Sequence, residues 1–130
     1  MYQKKITEKI KCPLEYCLGM MSGKWKFRII CVLSDTEMLR YQDIKKELAD
    51  ISDSVLSLAL QEMSASGLII RRSFDEIPPK VTYSLTETGR SVIPVMKEIC
   101  RWSAVHYKGN TEDLLSRCKK CEVISSSPDA

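Results

Sequence analysis

The part of the chain from residue 52 to residue 90 constrains the fold most strongly. Ser52 is typical of a residue that caps a helix N-terminus, and the carboxylate of Asp53 favours the positive end of the helix dipole. Gly67 has the position of a left-handed residue just beyond the helix, where Leu68 can pack back on it. The sequence therefore predicts a helix between Ser52 and Gly67. Its inner row is expected at Leu56, Leu60 and Met63.

A hairpin with a basic first strand is predicted directly after this helix. Residues 68–74 form the first strand and carry Arg71 and Arg72. Apolar and polar side chains alternate in residues 80–85, as they do in a half-buried strand. The two prolines at 78–79 give a stiff connection without backbone donors. The inward-facing residues of the second strand are expected to be Val81, Tyr83 and Leu85.

The other predicted elements are shorter and lie on both sides of this region. They are helices over about residues 13–21, 23–33 and 41–49, a minimal strand at 38–39 and a long helix after Thr86. Pro13 suits the first position of its helix, Ser22 is the predicted cap of the second, and Pro94 is expected to kink the last. The predicted fold is mainly α with a small β-hairpin.

The order of a short helix, a second helix and a basic hairpin is that of a winged helix-turn-helix. Such a domain places one helix in a groove of double-stranded DNA and a β-loop on the backbone beside it. The net charge is only +3, and residues 24–90 hold ten Lys/Arg against ten Asp/Glu. DNA binding would therefore depend on how the charges are arranged and not on bulk attraction.

Length and composition indicate an ordinary soluble globule. The chain has 130 residues, of which 44% are apolar and 28% charged. No apolar run approaches the roughly 18 residues that span a bilayer, and the N-terminus leads into no apolar signal region. We expect a cytoplasmic protein without membrane association, in which most of the six cysteines are reduced.

Several short segments, in this order, resemble the HxlR family of bacterial transcription regulators, a dimeric winged-helix branch close to the MarR regulators. They are Cys12-Pro13-Leu14-Glu15, Gly23-Lys24-Trp25, Arg40-Tyr41, the helix and its ending from Ser52 to Leu68, Pro78-Pro79-Lys80-Val81-Thr82-Tyr83-Ser84-Leu85-Thr86 and Gly89-Arg90. The resemblance covers residues 12–102. It implies a homodimer that pairs through its first and last helices and binds a short inverted repeat. It also implies that the helix after Ser52 is the recognition helix and that residues 71–81 form the wing.

The resemblance divides the chain into three parts. Residues 1–11 are an N-terminal arm, and residues 12–107 are the winged helix-turn-helix domain with its dimerisation helices. Residues 108–130 are expected to be a C-terminal tail, weakly helical or disordered, and the resemblance does not extend to about the last 25 residues.

The recognition helix departs from the family pattern. Ser54 and Ala59 stand where Lys or Arg is usual, Leu58 stands where a polar residue is common, and Gln42 replaces a capping serine. Guanine readout by arginine from this helix is therefore absent. Base contacts are expected from Ser54, Ser57 and Gln61, with Leu58 against a thymine methyl group. This composition predicts modest specificity per half-site, or reliance on DNA shape.

Phosphate contacts are expected from basic residues outside that helix: Arg40, Lys45, Lys46, Arg71, Arg72 and Lys80. Because neighbours on a strand point to opposite faces, at most one of Arg71 and Arg72 is expected to face DNA directly. The alternative for each of these residues is an ordinary solvated charge.

Cys12 is the candidate sensing residue. Its sulfur precedes Pro13 at a helix N-terminus, where unpaired N–H groups and the dipole stabilise a thiolate, and Lys9 and Lys11 add positive potential. In the resembling family, several members respond to electrophiles or oxidants through the cysteine that matches Cys12. The alternative is a small apolar residue packed at the dimer interface.

The two cysteines near the C-terminus leave four interpretations open. Cys118 and Cys121 have CxxC spacing, so they could form a redox pair, pair with Cys12, bind metal together with Cys100 and His106, or be an exposed pair without a role. Cys17, Cys31 and Cys100 lie on apolar faces and are expected in the core. Trp25 and Trp102 are expected in core and dimer packing.

No catalytic pattern is present in the sequence. There is no glycine-rich phosphate loop and no nucleophile with a spaced base, so neither enzyme activity nor a cofactor is expected. Two other functions compete with a thiol-switched DNA-binding regulator. One is a winged-helix protein-interaction module that does not bind DNA, and the other is a metal-responsive regulator that uses the tail cysteines.

Overall fold

The structure, a computed structural model, describes residues 10–109. Its elements in chain order are α1 (Pro13–Met20), α2 (Lys26–Leu33), β1 (Leu39–Arg40), α3 (Tyr41–Leu48), α4 (Asp53–Ala65), β2 (Ile69–Phe74), β3 (Lys80–Leu85), α5 (Glu87–Ser91) and α6 (Ile93–His106). One compact unit runs to Arg90 and a second begins at Ser91. The first unit has the predicted order of two helices followed by a hairpin. Within residues 10–109, no helix has the length and apolar character needed to cross a bilayer.

The core of the first unit is built from α2, α3, α4 and the start of the hairpin. Each helix contributes apolar side chains three or four positions apart, which places them on one face. The fully buried side chains are Ile29, Ile30, Leu33, Ile44, Leu48, Leu56, Leu60, Met63 and Leu68. Each such side chain contributes about 1.5–3 kcal/mol on burial. The predicted inner row of α4 is confirmed.

Both ends of α4 are fixed by local hydrogen bonds, as the sequence predicts. Ser52 Oγ accepts a hydrogen bond from the Val55 N–H at 3.2 Å. At the other end Gly67 has φ +82°, and the Leu68 N–H donates to the Met63 carbonyl at 2.9 Å. This is the hydrogen bond of a Schellman ending, and it turns the chain directly into β2.

The start of α2 differs from the prediction. The helix begins at Lys26 instead of Gly23, and its N-cap residue is Trp25, which makes no side-chain capping bond. Gly23 has φ +86°, a left-handed conformation that cannot belong to a right-handed helix. Ser22 is therefore separated from α2, and its predicted capping role is wrong.

The sheet has three antiparallel strands in the order β1-β3-β2. Leu39 is in register with Tyr83, and Thr82 is in register with both Arg40 and Arg72. Since β3 is the central strand, it is covered on both edges, and Thr82 is buried as well as Tyr83 and Leu85. The predicted alternation of β3 is thus only partly correct. Val81 is half-buried.

The segment after β3 forms two helices and not one kinked helix. Thr86 Oγ1 accepts from the Gly89 N–H at 2.9 Å and donates to the Gly67 carbonyl at 2.6 Å, so it caps α5 and joins it to the end of α4. A new helix starts after Val92, with Pro94 in its first turn. Proline lacks an N–H and clashes with the preceding turn, so α5 cannot continue through it.

Candidate nucleic-acid interface

The outer face of α4 carries all four residues predicted to contact bases. Ser54, Ser57, Leu58 and Gln61 are exposed, and Leu58 has 55% of its surface accessible. Val55 is also exposed and lies one turn before Leu58, although the sequence analysis did not select it. Val55 lies at the edge of the outer face, beside the buried row, and its spacing of three residues before Leu58 was the available signal. Ala59 is buried, so a basic residue at that position would not point outward without disturbing the core.

The N-terminal turn of α4 is tied to α3 through one carboxylate. The Tyr41 hydroxyl donates to Asp53 Oδ1 at 2.8 Å and lies 3.5 Å from Ser57 Oγ. Lys45 Nζ is 3.7 Å from the same Asp53 oxygen. Partial burial raises the pKa of the Tyr41 hydroxyl above its usual value, and the hydrogen bond to Asp53 adds to this, whereas the contact with Ser57 lowers it. Tyr41 is therefore a neutral donor at neutral pH.

The basic residues of the sheet lie on two faces. Residues in register across antiparallel strands project to the same side, so Arg40 and Arg72 share a face with Thr82 between them. Two strand spacings separate these arginines, about 10 Å. Arg71 is in register with Tyr83 and belongs to the opposite face. Both hairpin arginines are exposed.

The other predicted phosphate ligands have different surroundings. Lys46 is exposed on α3, whereas Lys45 is half-buried beside Asp53. Lys80 is half-buried and its Nζ lies 4.9 Å from the centroid of the Phe74 ring, a cation–π contact across the hairpin. The structure thus leaves four of the predicted phosphate ligands as exposed cations, Arg40, Lys46, Arg71 and Arg72, and gives Lys45 and Lys80 partners within the protein.

An ion pair that was not expected from the sequence connects α4 to α2. Lys26 Nζ lies 2.8 Å from Glu62 Oε1, with only 7% of the lysine side chain exposed against 39% of the glutamate. Lys26 is not among the residues selected from the sequence. Its spacing of three and four residues before Ile29 and Ile30 was the signal that it shares their face.

The chain also matches a known family in sequence. The sequence model for the HxlR-like helix-turn-helix matches residues 20–111. The chain belongs to the HxlR family. It is therefore a transcription regulator of the helix-turn-helix type, like the relatives described below.

The similarity between this HxlR protein and its relatives extends over most of its length. An uncharacterized HTH-type transcriptional regulator of Halalkalibacterium halodurans is 35% identical over 101 residues, which cover 78% of this chain and 89% of the relative. The redox regulator HypR in its oxidized form is 32% identical with a TM-score of 0.69, over 75% of this chain and 100% of that one. The reduced form of the transcriptional regulator YodB from Bacillus subtilis is 29% identical with a TM-score of 0.67, over 76% and 97% of the two chains. The predicted winged helix-turn-helix fold is confirmed.

Cys12 occupies the N-cap position of α1. Its backbone is extended, Pro13 follows in the first turn, and the residue is exposed. Its side chain makes no capping hydrogen bond. The Glu15 carboxylate accepts the Lys11 N–H at 3.1 Å, so a negative charge also lies in this first turn. Lys9 lies outside the described residues.

The other cysteines fall into two groups. Cys17, Cys31 and Cys100 are half-buried, so they are only partly within the core where they were expected. Cys118 and Cys121 lie outside the described residues, and the predicted redox or metal role of that pair stays a prediction.

The helix α6 of the second unit has an exposed apolar face. Val95, Ile99 and Trp102 lie along it beside Glu98. Trp102 is 65% exposed and its ring stacks on His106 with centroids 4.6 Å apart. The expectation of core packing for Trp102 is therefore wrong for the single chain, and a role in dimer packing stays a prediction.

Proposed function

We propose that this HxlR protein binds promoter DNA as a homodimer and recognises a short inverted repeat. In this proposal α4 enters the major groove, and the hairpin from Ile69 to Leu85 contacts the sugar–phosphate backbone as the wing. The observation that carries the proposal is the exposed outer face of α4, together with the exposed cations Arg40 on β1, Lys46 on α3 and Arg72 on β2. Winged helix-turn-helix domains use such a face for bases and such cations for phosphates.

Affinity in this proposal comes from phosphate contacts and specificity from a mostly uncharged helix. Arg40 and Arg72 lie on one face of the sheet, about two strand spacings apart, which suits two phosphates along one strand. On α4, Ser54, Ser57 and Gln61 offer hydrogen bonds, and Leu58 offers an apolar contact for a thymine methyl group.

The proposed homodimer pairs through α1 and α6. Both helices expose apolar side chains: Leu14 and Leu18 on α1, and Val95, Ile99 and Trp102 on α6. Large exposed apolar patches on a soluble domain mark interaction surfaces. A dimer also matches the symmetry of an inverted repeat, because each subunit offers one recognition helix to one half-site.

Thiol chemistry at Cys12 is the proposed switch. HypR is described as a redox regulator, and Cys12 is exposed at the N-cap of α1, one of the proposed dimer helices. When the Cys12 thiol adds to an electrophile, sulfur forms a bond to carbon and the thiol proton passes to the adduct. The added group changes how α1 pairs across the dimer and so changes the distance between the two α4 helices.

The first test is DNA binding by the full chain. A mobility shift and a footprint on the DNA upstream of its own gene should show protection of an inverted repeat, with half-site centres about one helical turn apart. The balanced charge of residues 24–90 and the absence of Lys and Arg from α4 favour one alternative, a winged-helix module that binds a protein instead. Failure to bind this DNA, or protection without twofold symmetry, would favour that alternative.

A further inference from the structure

Asp53 is a charged residue at the proposed DNA interface, and none of the DNA contacts proposed above involves it. It is the first residue of α4, and 72% of its side chain is exposed. The other acidic residue of α4, Glu62, is paired with Lys26. A carboxylate among phosphates is repelled, so it is unfavourable in a DNA interface unless it accepts a hydrogen bond from a base.

The Asp53 carboxylate is held in place from one side. The Tyr41 hydroxyl and Lys45 Nζ, both on α3, contact the same oxygen, Oδ1, at 2.8 and 3.7 Å. Tyr41 also contacts Ser57 one turn further along α4, at 3.5 Å. Within residues 10–109 these polar contacts leave Oδ2 available as an acceptor. The carboxylate is thus oriented before any ligand binds, which reduces the entropy lost on binding.

The chemistry of this acceptor selects one base. In the major groove cytosine presents the N4 amino group, a donor that a carboxylate accepts. Adenine presents its N6 donor beside the N7 acceptor, and guanine presents two acceptors, so both place a lone pair against the carboxylate. Residues in the first turn of a recognition helix are the ones that contact base edges.

We propose that Asp53 is a specificity-determining residue, which accepts a hydrogen bond from cytosine N4 at one position of each half-site, with Tyr41 and Lys45 as positioning residues. This inference rests on the proposed function, because it requires α4 in the major groove. The Asp53 contact would give α4, whose other outward-facing residues are neutral, one base contact made by a charged side chain.

The experiment is selection from duplexes in which both half-sites of the footprinted repeat are randomised. The full-length wild-type chain, Asp53→Ala and Asp53→Asn are compared. Wild type should prefer cytosine at one position per half-site by about five- to 150-fold over other bases, the range expected for a good base contact. Asp53→Ala should lose the preference at that position only. Asp53→Asn puts an amide donor in place of the acceptor, so its preference should move to a purine with an N7 acceptor.

A second charge variant separates base reading from simple repulsion. Asp43→Asn removes one negative charge from an exposed position of the neighbouring helix α3. It should leave the cytosine preference unchanged. If Asp53 only repelled phosphates, Asp53→Asn would raise affinity equally for all sequences, and that result would overturn the inference.

The role of Tyr41 as a positioning residue is tested by a separate variant. Tyr41→Phe removes the hydroxyl that fixes Oδ1, so the cytosine preference should fall at this position. Preferences should stay the same at all other positions except the one read by Ser57, which the hydroxyl also contacts. Equal loss at every position would mean that Tyr41 acts only through stability. Wild type that binds no DNA would refute the proposed function. Wild type that binds a repeat in which no position responds to Asp53 variants would refute this inference alone.

Discussion

Substitutions in the ion pair between α2 and α4 should change the stability of the protein strongly, because one of the two charged side chains is buried. The ammonium group of Lys26 is almost completely buried, and the carboxylate of Glu62 lies 2.8 Å from it. A buried charge that loses its partner is strongly destabilising, whereas replacing the charge itself by an apolar group of similar volume costs little. The two members of this pair are therefore not equivalent.

Removing Glu62 should cost more stability than removing the charge of Lys26. Glu62→Ala leaves the buried ammonium without this carboxylate and should lower the free energy of unfolding by about 1–3 kcal/mol, since the glutamate is partly exposed. Lys26→Met keeps the side-chain volume and should cost less. Urea denaturation of both single variants and of the double variant measures the coupling. A larger loss for Lys26→Met than for Glu62→Ala would contradict this account.

Two glycines provide a second comparison at this scale. A Cβ on Gly89 would overlap the Leu68 carbonyl oxygen, whereas a Cβ on Gly67 would meet open space but has φ +82°. Gly67→Ala should therefore cost only the strain of a left-handed residue, about 1–2 kcal/mol. Gly89→Ala forces the end of α4 and α5 apart and should lower the melting temperature more. Similar losses for the two variants would mean that α5 moves away freely.

At the scale of helices and strands, helix ends that depend on neighbouring residues could be predicted from the sequence. Contacts between different elements could not. The bounds of α4 follow from Ser52 and Gly67, whose capping and left-handed conformations depend on nearby backbone alone. The burial of Lys26 depends on Glu62, far away in the sequence. The contact of Tyr41 with Asp53 likewise joins two helices and has no local signature. The late start of α2 was missed because Gly23 was taken as helical.

The register of the hairpin predicts unequal roles for its two arginines. Arg72 shares its face with Arg40, whereas Arg71 lies on the opposite face of the sheet. If the face of Arg40 and Arg72 contacts phosphates, Arg72→Ala removes one contact from each subunit of the proposed dimer. It should therefore reduce the slope of log affinity against log salt by about 1.8, which is twice the value for one phosphate contact. Arg71→Ala should change it less. Fluorescence anisotropy over a salt series measures both, and a larger change for Arg71→Ala would assign the opposite face to DNA.

For the whole molecule, the exposed face of α6 predicts a dimer that single substitutions can weaken. Trp102→Asp places a charge on a side chain that is 65% exposed in the single chain, so the monomer should keep its fold. The dimer dissociation constant should rise about 30-fold or more, as for an aromatic residue at the centre of an interface. Sedimentation equilibrium measures it. Ile77→Asp, a fully exposed position in the hairpin connection, is the matched control and should leave it unchanged.

The proposed dimer also predicts how DNA binding should respond when the Cys12 thiol is modified. Addition of a quinone to Cys12 at the start of α1 should release the protein from its operator, because the two α4 helices no longer match the half-site spacing. Cys12→Ser should bind DNA as tightly as wild type and stay bound in the presence of the quinone. Cys17→Ser changes a half-buried thiol on the same helix and should still be released. Mobility shifts before and after quinone treatment, with mass spectrometry of the adduct, measure both steps. Equal release of the Cys12→Ser and wild-type proteins would place the sensing thiol elsewhere in the chain.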